Sequence, residues 1–425
     1  MLHEAFRRGW PSVSAFVPRR VKLEVQRYLE CGNVRYGFVE VTCEACHDSQ
    51  LVAFSCKGRG WCPSCTTRRA IETGAHLEAV LPRVAHRQWT LSLPFSVRFA
   101  VVKQPALLKK LEVRLVRAVW RWQRATARRL GAFRKLRGGA ICFWQWFGSL
   151  LQLTPHLHLL VPEALWYDDG EVMHLPPPDD EDVEAVLRRT LRQAMRDWEN
   201  LDAAWAEDEY EGFQQRAIQE KLSLSEALLP NPRHRRLAVA QGFSLHANTA
   251  VHCNDRQGLE RLARYGARGP VAECRLRRTS DGRYEYTPKK GVAFTLTAEA
   301  LVRRLVALVP PAKLLLTSFH GVYAPHAALR PLVTQPHADE VLPSTAARRK
   351  AKTKQKTKRR LDWATLHQRT FGSDVLACPC GGRRTLRALH STRKQAEERL
   401  ADLGISLPSW RLPPATAPPQ LSLAV

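Results

Sequence analysis

Acids are scarce in this 425-residue chain: 40 aspartates and glutamates stand against 66 lysines and arginines, giving a formal charge of +26 at pH 7. That deficit excludes a self-neutralising surface and favours a polyanionic partner, most simply nucleic acid; an anionic membrane surface is the other class such charge serves. Long apolar runs are also missing. No stretch reaches the roughly 18 residues a membrane-spanning helix needs, and the segment Met1 to Trp10 lacks the apolar core of a signal peptide. A cytoplasmic location is therefore expected. With 44% hydrophobic and 25% charged residues, the chain has material for a globular protein of two or three domains.

Cysteine is present and unevenly placed. Of 11 cysteines, six fall between Cys31 and Cys65, a pattern that in a reducing compartment points to metal rather than disulfides. Two knuckles, Cys43-Glu-Ala-Cys46 and Cys62-Pro-Ser-Cys65, are separated by 15 residues. Their four thiolates suit one tetrahedral, structural zinc. Around the second knuckle Lys57, Arg59, Arg68 and Arg69 accompany Trp61, a mixture able to hold a DNA backbone and stack on a base. Cys31 and Cys56 are left over, either joining His47 or His76 in a second site or lying buried as thiols. Cys378-Pro-Cys380 is too tight for a knuckle without distant partners, so metal binding there is not expected.

Periodicity predicts a mixed α+β chain. A helix is expected over 67–84, then an alternating strand over 88–98. Pro105 opens a long amphipathic helix to about residue 130. Its apolar stripe is Leu107, Leu108, Leu111, Leu115 and Val119; its other face carries Arg114, Arg117, Arg121, Arg124, Arg128 and Arg129 with few acids, which favours phosphate contact. Residues 140–147 and 151–162 read as antiparallel neighbouring strands. An acidic helical insertion is expected over about 167–230, solvent-facing in character. A strand over 242–253 follows, then a helix capped by Asn254 or Asp255. The run from Arg348 to Arg360 contains no acid and reads as a disordered DNA tether. Boundaries are placed at 20–70 for a zinc-binding domain and 85–335 for a catalytic domain. A basic linker (345–360), a small C-terminal segment (361–405) and a flexible tail (408–425) complete the division.

Two stretches carry chemistry. In Pro155-His-Leu-His-Leu159 a strand puts His156 and His158 on one face and Leu157 and Leu159 in the core. Paired imidazoles can hold a divalent ion and leave positions open for a phosphate, although His-x-His also arises readily by chance. On the downstream helix Tyr265 lies one turn from Arg261 and, if the helix continues, from Arg268. A phenol between guanidiniums is placed to attack a phosphodiester, whereas a tyrosine near a helix end is more commonly a packing residue.

Four stretches taken in order resemble a known family: Ser55 to Cys65, Phe147 to His158, Asn254 to Pro270, and His320-Gly-Val-Tyr-Ala-Pro325. They are similar to those of the rolling-circle transposases of the insertion-sequence-91 group, including ISCR-type elements. The resemblance implies that His156-Leu157-His158 is an HUH motif on an antiparallel palm flanked by helices, with Mg²⁺ or Mn²⁺ as catalytic cation and Tyr265 as nucleophile. It further implies a 5′-phosphotyrosine formed on single-stranded element ends. A third polar ligand is usual; Gln145 is the first candidate, with Asp255 or His252 second. Gly269 stands where two-tyrosine members carry a second tyrosine. Either Tyr265 acts twice, or a second subunit of a homodimer or another hydroxyl, with Tyr284 and Tyr286 as outside candidates, completes the cycle. The competing functions are a non-catalytic zinc-ribbon DNA-binding protein and a metal-dependent hydrolytic nuclease.

Overall fold

The structure is a computed structural model that describes residues 1–198, 207–219, 235–289, 291–312, 314–334, 361–406 and 420–423. The chain begins with two helices, α1 (Leu2–Val13) and α2 (Arg19–Glu30), followed by the hairpin β1 (Phe38–Cys43) and β2 (Ser49–Ala53). Helix α3 (Pro63–Val80) starts with Pro63 at its first position, where a missing N–H costs nothing because that group has no partner in the helix.

The central sheet is antiparallel and six-stranded. It comprises β3 (His86–Ser92), β4 (Gly139–Phe147), β5 (Leu153–Pro162), β8 (Leu237–Ala240), β9 (Phe243–Val251) and β13 (Thr317–Gly321), in the spatial order 13-4-5-3-9-8. The small hairpin β6 (Ala164–Trp166) and β7 (Val172–His174) follows β5 directly. Alternation along β5 sends Leu157, Leu159 and Val161 into the main core, where they meet Trp144, Leu91 and Leu245. Helices α4 (Phe95–Lys103), α5 (Pro105–Arg129) and α6 (Asp180–Trp198) contribute side chains to that core, as does α7 (Glu209–Gln219). Leu107, Leu108, Leu111, Leu115 and Val119 of α5 are all buried, so the apolar stripe faces inward. Each such leucine removed from water contributes about 2 kcal/mol.

The opposite sheet face, with Ile141, Phe143 and Leu160, packs on α3 and on α8 (Arg256–Ala267) through Leu77, Val80, Leu259 and Ala263. Close approach is built into the sequence here. A Cβ at Gly266 would lie 2.7 Å from the Phe143 ring, and one at Gly74 would lie 2.5 Å from Arg264 Cγ. A three-stranded sheet, β10 (Leu276–Arg278), β11 (Tyr284–Tyr286) and β12 (Phe294–Leu296), leads to α9 (Ala298–Ala307) and, past β13, to the one-turn helix α10 (Arg330–Val333). Thr297 caps α9 through its hydroxyl. The C-terminal part contains α11 (Trp363–Phe371), β14 (Arg384–His390), α12 (Arg393–Asp402) and β15 (Gln420–Leu423). Strands β14 and β15 flank the β1–β2 hairpin, giving a second sheet of order 14-1-2-15.

Several expectations are corrected by this arrangement. Residues 95–98 are helical, because Pro94 ends β3 and leads into α4. The acidic helix α6 is no solvent-facing insertion: Val183, Val186, Leu187, Leu191 and Ala194 are buried in the main core, with the acids on the outer side. Residues 361–405 are not a separate segment, since β14 pairs along the whole of β1. Within the expected tail, Gln420–Leu423 pairs with β2. The basic linker 345–360 lies outside the described residues, as do 220–234 of the insertion and most of 408–425. The chain is thus a mixed α+β protein with an N-terminal cysteine-rich module and antiparallel sheets flanked by helices.

Candidate active site and metal centres

Cysteines gather in two groups of four. The inner group is Cys31, Cys56, Cys62 and Cys65; the outer is Cys43, Cys46, Cys378 and Cys380, with all sulfurs of a group within 4.8 Å of one another. Close pairs include Cys31–Cys62 at 3.7 Å, Cys56–Cys65 at 3.4 Å, Cys43–Cys380 at 3.6 Å and Cys46–Cys378 at 3.5 Å. A tetrahedron with Zn–S bonds of about 2.3 Å has edges of about 3.8 Å, close to these separations. The single site of Cys43, Cys46, Cys62 and Cys65 expected from sequence is therefore corrected. The two knuckles sit at separate centres, Cys31 and Cys56 complete one, and the distant Cys378-Pro-Cys380 completes the other. His47 and His76 belong to neither.

Electrostatics fit a cation at both. Hydrogen bonds from Cys31, Cys56 and Cys62 push the Cys65 thiol far down, while contact with Cys31 foremost pushes Cys56 and Cys62 up. Four thiolates packed this closely repel one another, and a divalent cation lets all four ionise. At the outer centre the backbone N–H groups of Cys46 and Ala45 lower Cys43 to about 7. Gly382 is required there, since a Cβ would come within 2.9 Å of Cys43 Sγ.

Trp61 does not face a nucleic acid. It is buried, stacked on Phe6 at 5.1 Å and edge-on to Tyr28. Lys57 is exposed, whereas Arg59 donates to the Leu314 carbonyl and Arg69 to the carbonyls of Lys57 and Gly58. Those two arginines hold the knuckle loop as much as they present charge.

The second constellation lies where β5 faces α8. Register pairs His156 with Gln145 on β4 and His158 with Thr90 on β3. His156 Nδ1 lies 2.9 Å from the Thr154 carbonyl, and its Nε2 is hydrogen-bonded to Gln145 Oε1 at 3.2 Å. Gln145 is fixed in that orientation because its amide nitrogen donates to the carbonyls of Tyr265, at 2.5 Å, and Gly266, at 3.2 Å. His158 is buried, its Nδ1 lying 3.1 Å from Thr90 Oγ1 and 2.9 Å from the Gln88 amide, while its Nε2 has no partner. Burial foremost, then His156 and Arg268, holds the His158 pKa well below the ordinary 6.5, which keeps the ring neutral and able to ligate. The imidazole rings are 4.9 Å apart.

Tyr265 stands beside them, its ring 5.4 Å from that of His158. The phenol is 45% exposed, on the last turn of α8, so it is reachable by a large substrate. Arg268 lies past the helix end yet sits 4.6 Å over the Tyr265 ring and 5.4 Å over Phe147. Arg261, also exposed, pairs with Asp255 at 3.6 Å. Asp255 itself caps α8 by accepting from Gly258 N–H at 2.7 Å, and His252 is exposed beside Cys253, so neither is brought to the histidine pair. Gln88 and Thr90 were missed in the sequence. Their signal was there: both are the polar, same-face positions of an alternating strand beside β5.

The departure at Gly269 has a structural cause. Helix α8 ends at Ala267, and a Cβ at Gly269 would lie 2.3 Å from Thr66 Oγ1. Tyr284 and Tyr286 are buried, and burial raises both phenols above their ordinary pKa, which removes them as alternates.

Comparison with known families gives two matches. A model described as Transposase zinc-binding domain matches residues 5–93, and one described as Putative transposase matches residues 139–330. The chain belongs to the insertion-sequence-91 family of transposases. The first match spans every ligand of the inner centre and one knuckle of the outer, so zinc binding is assigned to the two four-cysteine clusters. The transposase match spans Gln145, His156, His158 and Tyr265. No curated protein and no solved structure matches the chain significantly. Among the described residues no helix is long and apolar enough to cross a membrane.

Proposed function

We propose that this transposase nicks and rejoins single-stranded DNA at element ends, using Tyr265 as nucleophile in an HUH-type palm. The observation that carries the reading is the convergence at one sheet face of His156 Nε2 held 3.2 Å from Gln145 Oε1, the unpartnered His158 Nε2 and an accessible phenol. His156, His158 and Gln145 fit a divalent cation such as Mg²⁺ or Mn²⁺, which when bound would polarise the scissile phosphate.

Tyr265 Oη attacks phosphorus in line. The bond to the 3′ oxygen breaks, the phenol loses its proton, and the departing oxygen gains one, leaving a 5′-phosphotyrosine and a free 3′-hydroxyl. Arg268, over the Tyr265 ring, stabilises the charge that develops on phosphate. Thr90 Oγ1 and the Gln88 amide, at 3.1 and 2.9 Å from His158 Nδ1, hold that ring in place while its Nε2 keeps no protein partner. The ester keeps the bond energy, so attack by a 3′-hydroxyl of another strand reverses the step and joins DNA. With no second tyrosine on α8, Tyr265 serves each transfer in turn, or a second subunit supplies the other.

Incubation with Mg²⁺ and single-stranded DNA bearing the element end is the test. A covalent adduct lost in Tyr265→Phe is expected, and His156→Ala should abolish nicking while most DNA affinity remains, because phosphate contacts dominate binding. Cleavage without adduct would replace the reading with a hydrolytic nuclease; absence of cleavage by folded, zinc-loaded protein would leave a DNA-binding protein.

A further inference from the structure

At the end of β4 remote from Gln145 lies a cavity of about 910 Å³. At about 3.3 Å per strand residue, its edge at Gly138 is roughly 20 Å from the histidine pair. The cavity is built around an indole. Trp120 of α5 is wedged between Gly138 and Gly321, where added Cβ atoms would come within 2.6 and 2.8 Å of its ring, and its N–H donates to the Gly139 carbonyl at 3.4 Å. At the rim Phe133 is 98% exposed, a placement that packing does not explain.

The charged lining is only partly neutralised by described acids. Arg134 is taken by Asp169 and Glu171, and Arg137 by Asp168. Arg124, Arg128 and Lys135 also line the cavity, and no ion pair to a described acid involves them. Burial, then Arg128 and Arg121, lower the Arg124 pKa, as expected of cations crowded without a counterion. Arg117, Arg121, Arg124 and Arg128 recur at helical spacing along α5, a track that leads into the cavity.

We propose that this cavity is a second single-stranded DNA site, in which an unpaired base stacks on Phe133 and Trp120 while flanking phosphates lie on Arg124, Arg128 and Lys135. The proposal rests on the DNA-handling reading above and adds a surface that reading does not use. Aromatic faces beside unpaired cations are what single strands bind, since their bases offer free π-faces; a duplex hides those faces in its stack. The site would hold the strand beyond the nick, so that the released 3′ end or the incoming strand stays near Tyr265.

Fluorescence anisotropy with the full chain, a labelled single-stranded oligonucleotide and its duplex tests this. Phe133→Ala, at a fully exposed position, should weaken single-strand binding about tenfold while leaving duplex binding and the salt dependence unchanged. Arg128→Ala with Lys135→Ala should flatten the slope of log K against log salt by about 1.4, the value for two phosphate contacts on single strands. Wild-type binding that survives both sets of changes would overturn the cavity site alone. Equal losses for single strand and duplex would overturn the stacking. Failure of the wild type to bind either DNA would sink the DNA reading itself, whereas a missing Tyr265 adduct with intact cavity effects would sink only the nicking step.

Discussion

The inner cysteine centre draws its ligands from Cys31 to Cys65 and is mostly buried in the main core, whereas the outer centre joins residues more than 330 apart, Cys46 to Cys378, with Cys46 and Cys380 at the surface. The inner one is part of the packing that positions α8: Cys62 and Cys65 open α3, and α3 lies against α8 through Gly74. The outer one ties the C-terminal strand and helix to the β1–β2 hairpin. It reaches α8 through α11, where Arg369 pairs with Glu260. Similar ligand sets thus do different work, one supporting the central sheet and its helices from within and the other closing the chain upon itself.

The comparison is most directly broken at its core. Cys62→Ser should lower bound zinc from two equivalents to one and abolish cooperative unfolding of the N-terminal module, since structural zinc contributes of the order of 10 kcal/mol to small domains; metal analysis with thermal unfolding reads both. Cys378→Ser should also remove one equivalent, but the central sheet should keep its unfolding transition and only the C-terminal segment should become protease-sensitive. An unchanged zinc content in that variant would restore the one-site pairing.

Acid should separate the two regions further. His3 and His86 are buried with pKa lowered to about 3 and about 4, chiefly by burial. Each is therefore stabilising as the neutral form. That stability is complete above the unfolded value near 6.5 and is lost as pH falls toward the folded value, about 3 kcal/mol per group by pH 4. Urea unfolding at pH 7 and pH 4 should show a smaller acid loss in His3→Phe than in the wild type. At the α8 contact, Gly266→Ala should cost roughly 1–3 kcal/mol by pushing the helix off Phe143, with nicking reduced more than DNA affinity. The smallest effect belongs to Arg369→Ala, within about 1 kcal/mol for a partly exposed pair, which would show how weakly the outer centre communicates with Tyr265.

What could be read from the sequence follows the range of the interactions involved. Strand alternation in β5, the apolar stripe of α5 and the cap at Asp255 are local, and their elements appear where periodicity put them. The side-by-side placement of His156 and Gln145 followed from expecting adjacent antiparallel strands. Cysteine pairing was not legible because proximity in sequence favours joining the two knuckles, while the partners of Cys43 and Cys46 arrive through β14. Trp61 was read as a stacking surface because no local signal reveals Phe6 and Tyr28 beside it. Helix α6 looked solvated because acids crowd its first turn, although Val183, Val186, Leu187 and Leu191 lie at helical spacing for one buried face.

The span between Cys46 and Cys378 sets an order of assembly. During synthesis a growing chain that has passed Cys65 holds every ligand of the inner centre but only half of the outer one. The inner zinc can thus be captured by a nascent chain, before the strands of the central sheet have been made. The outer zinc must wait until Cys378 and Cys380 have emerged, after every strand of that sheet, and a product truncated before Cys378 would leave the ribosome with Cys43 and Cys46 open to other metals and oxidants.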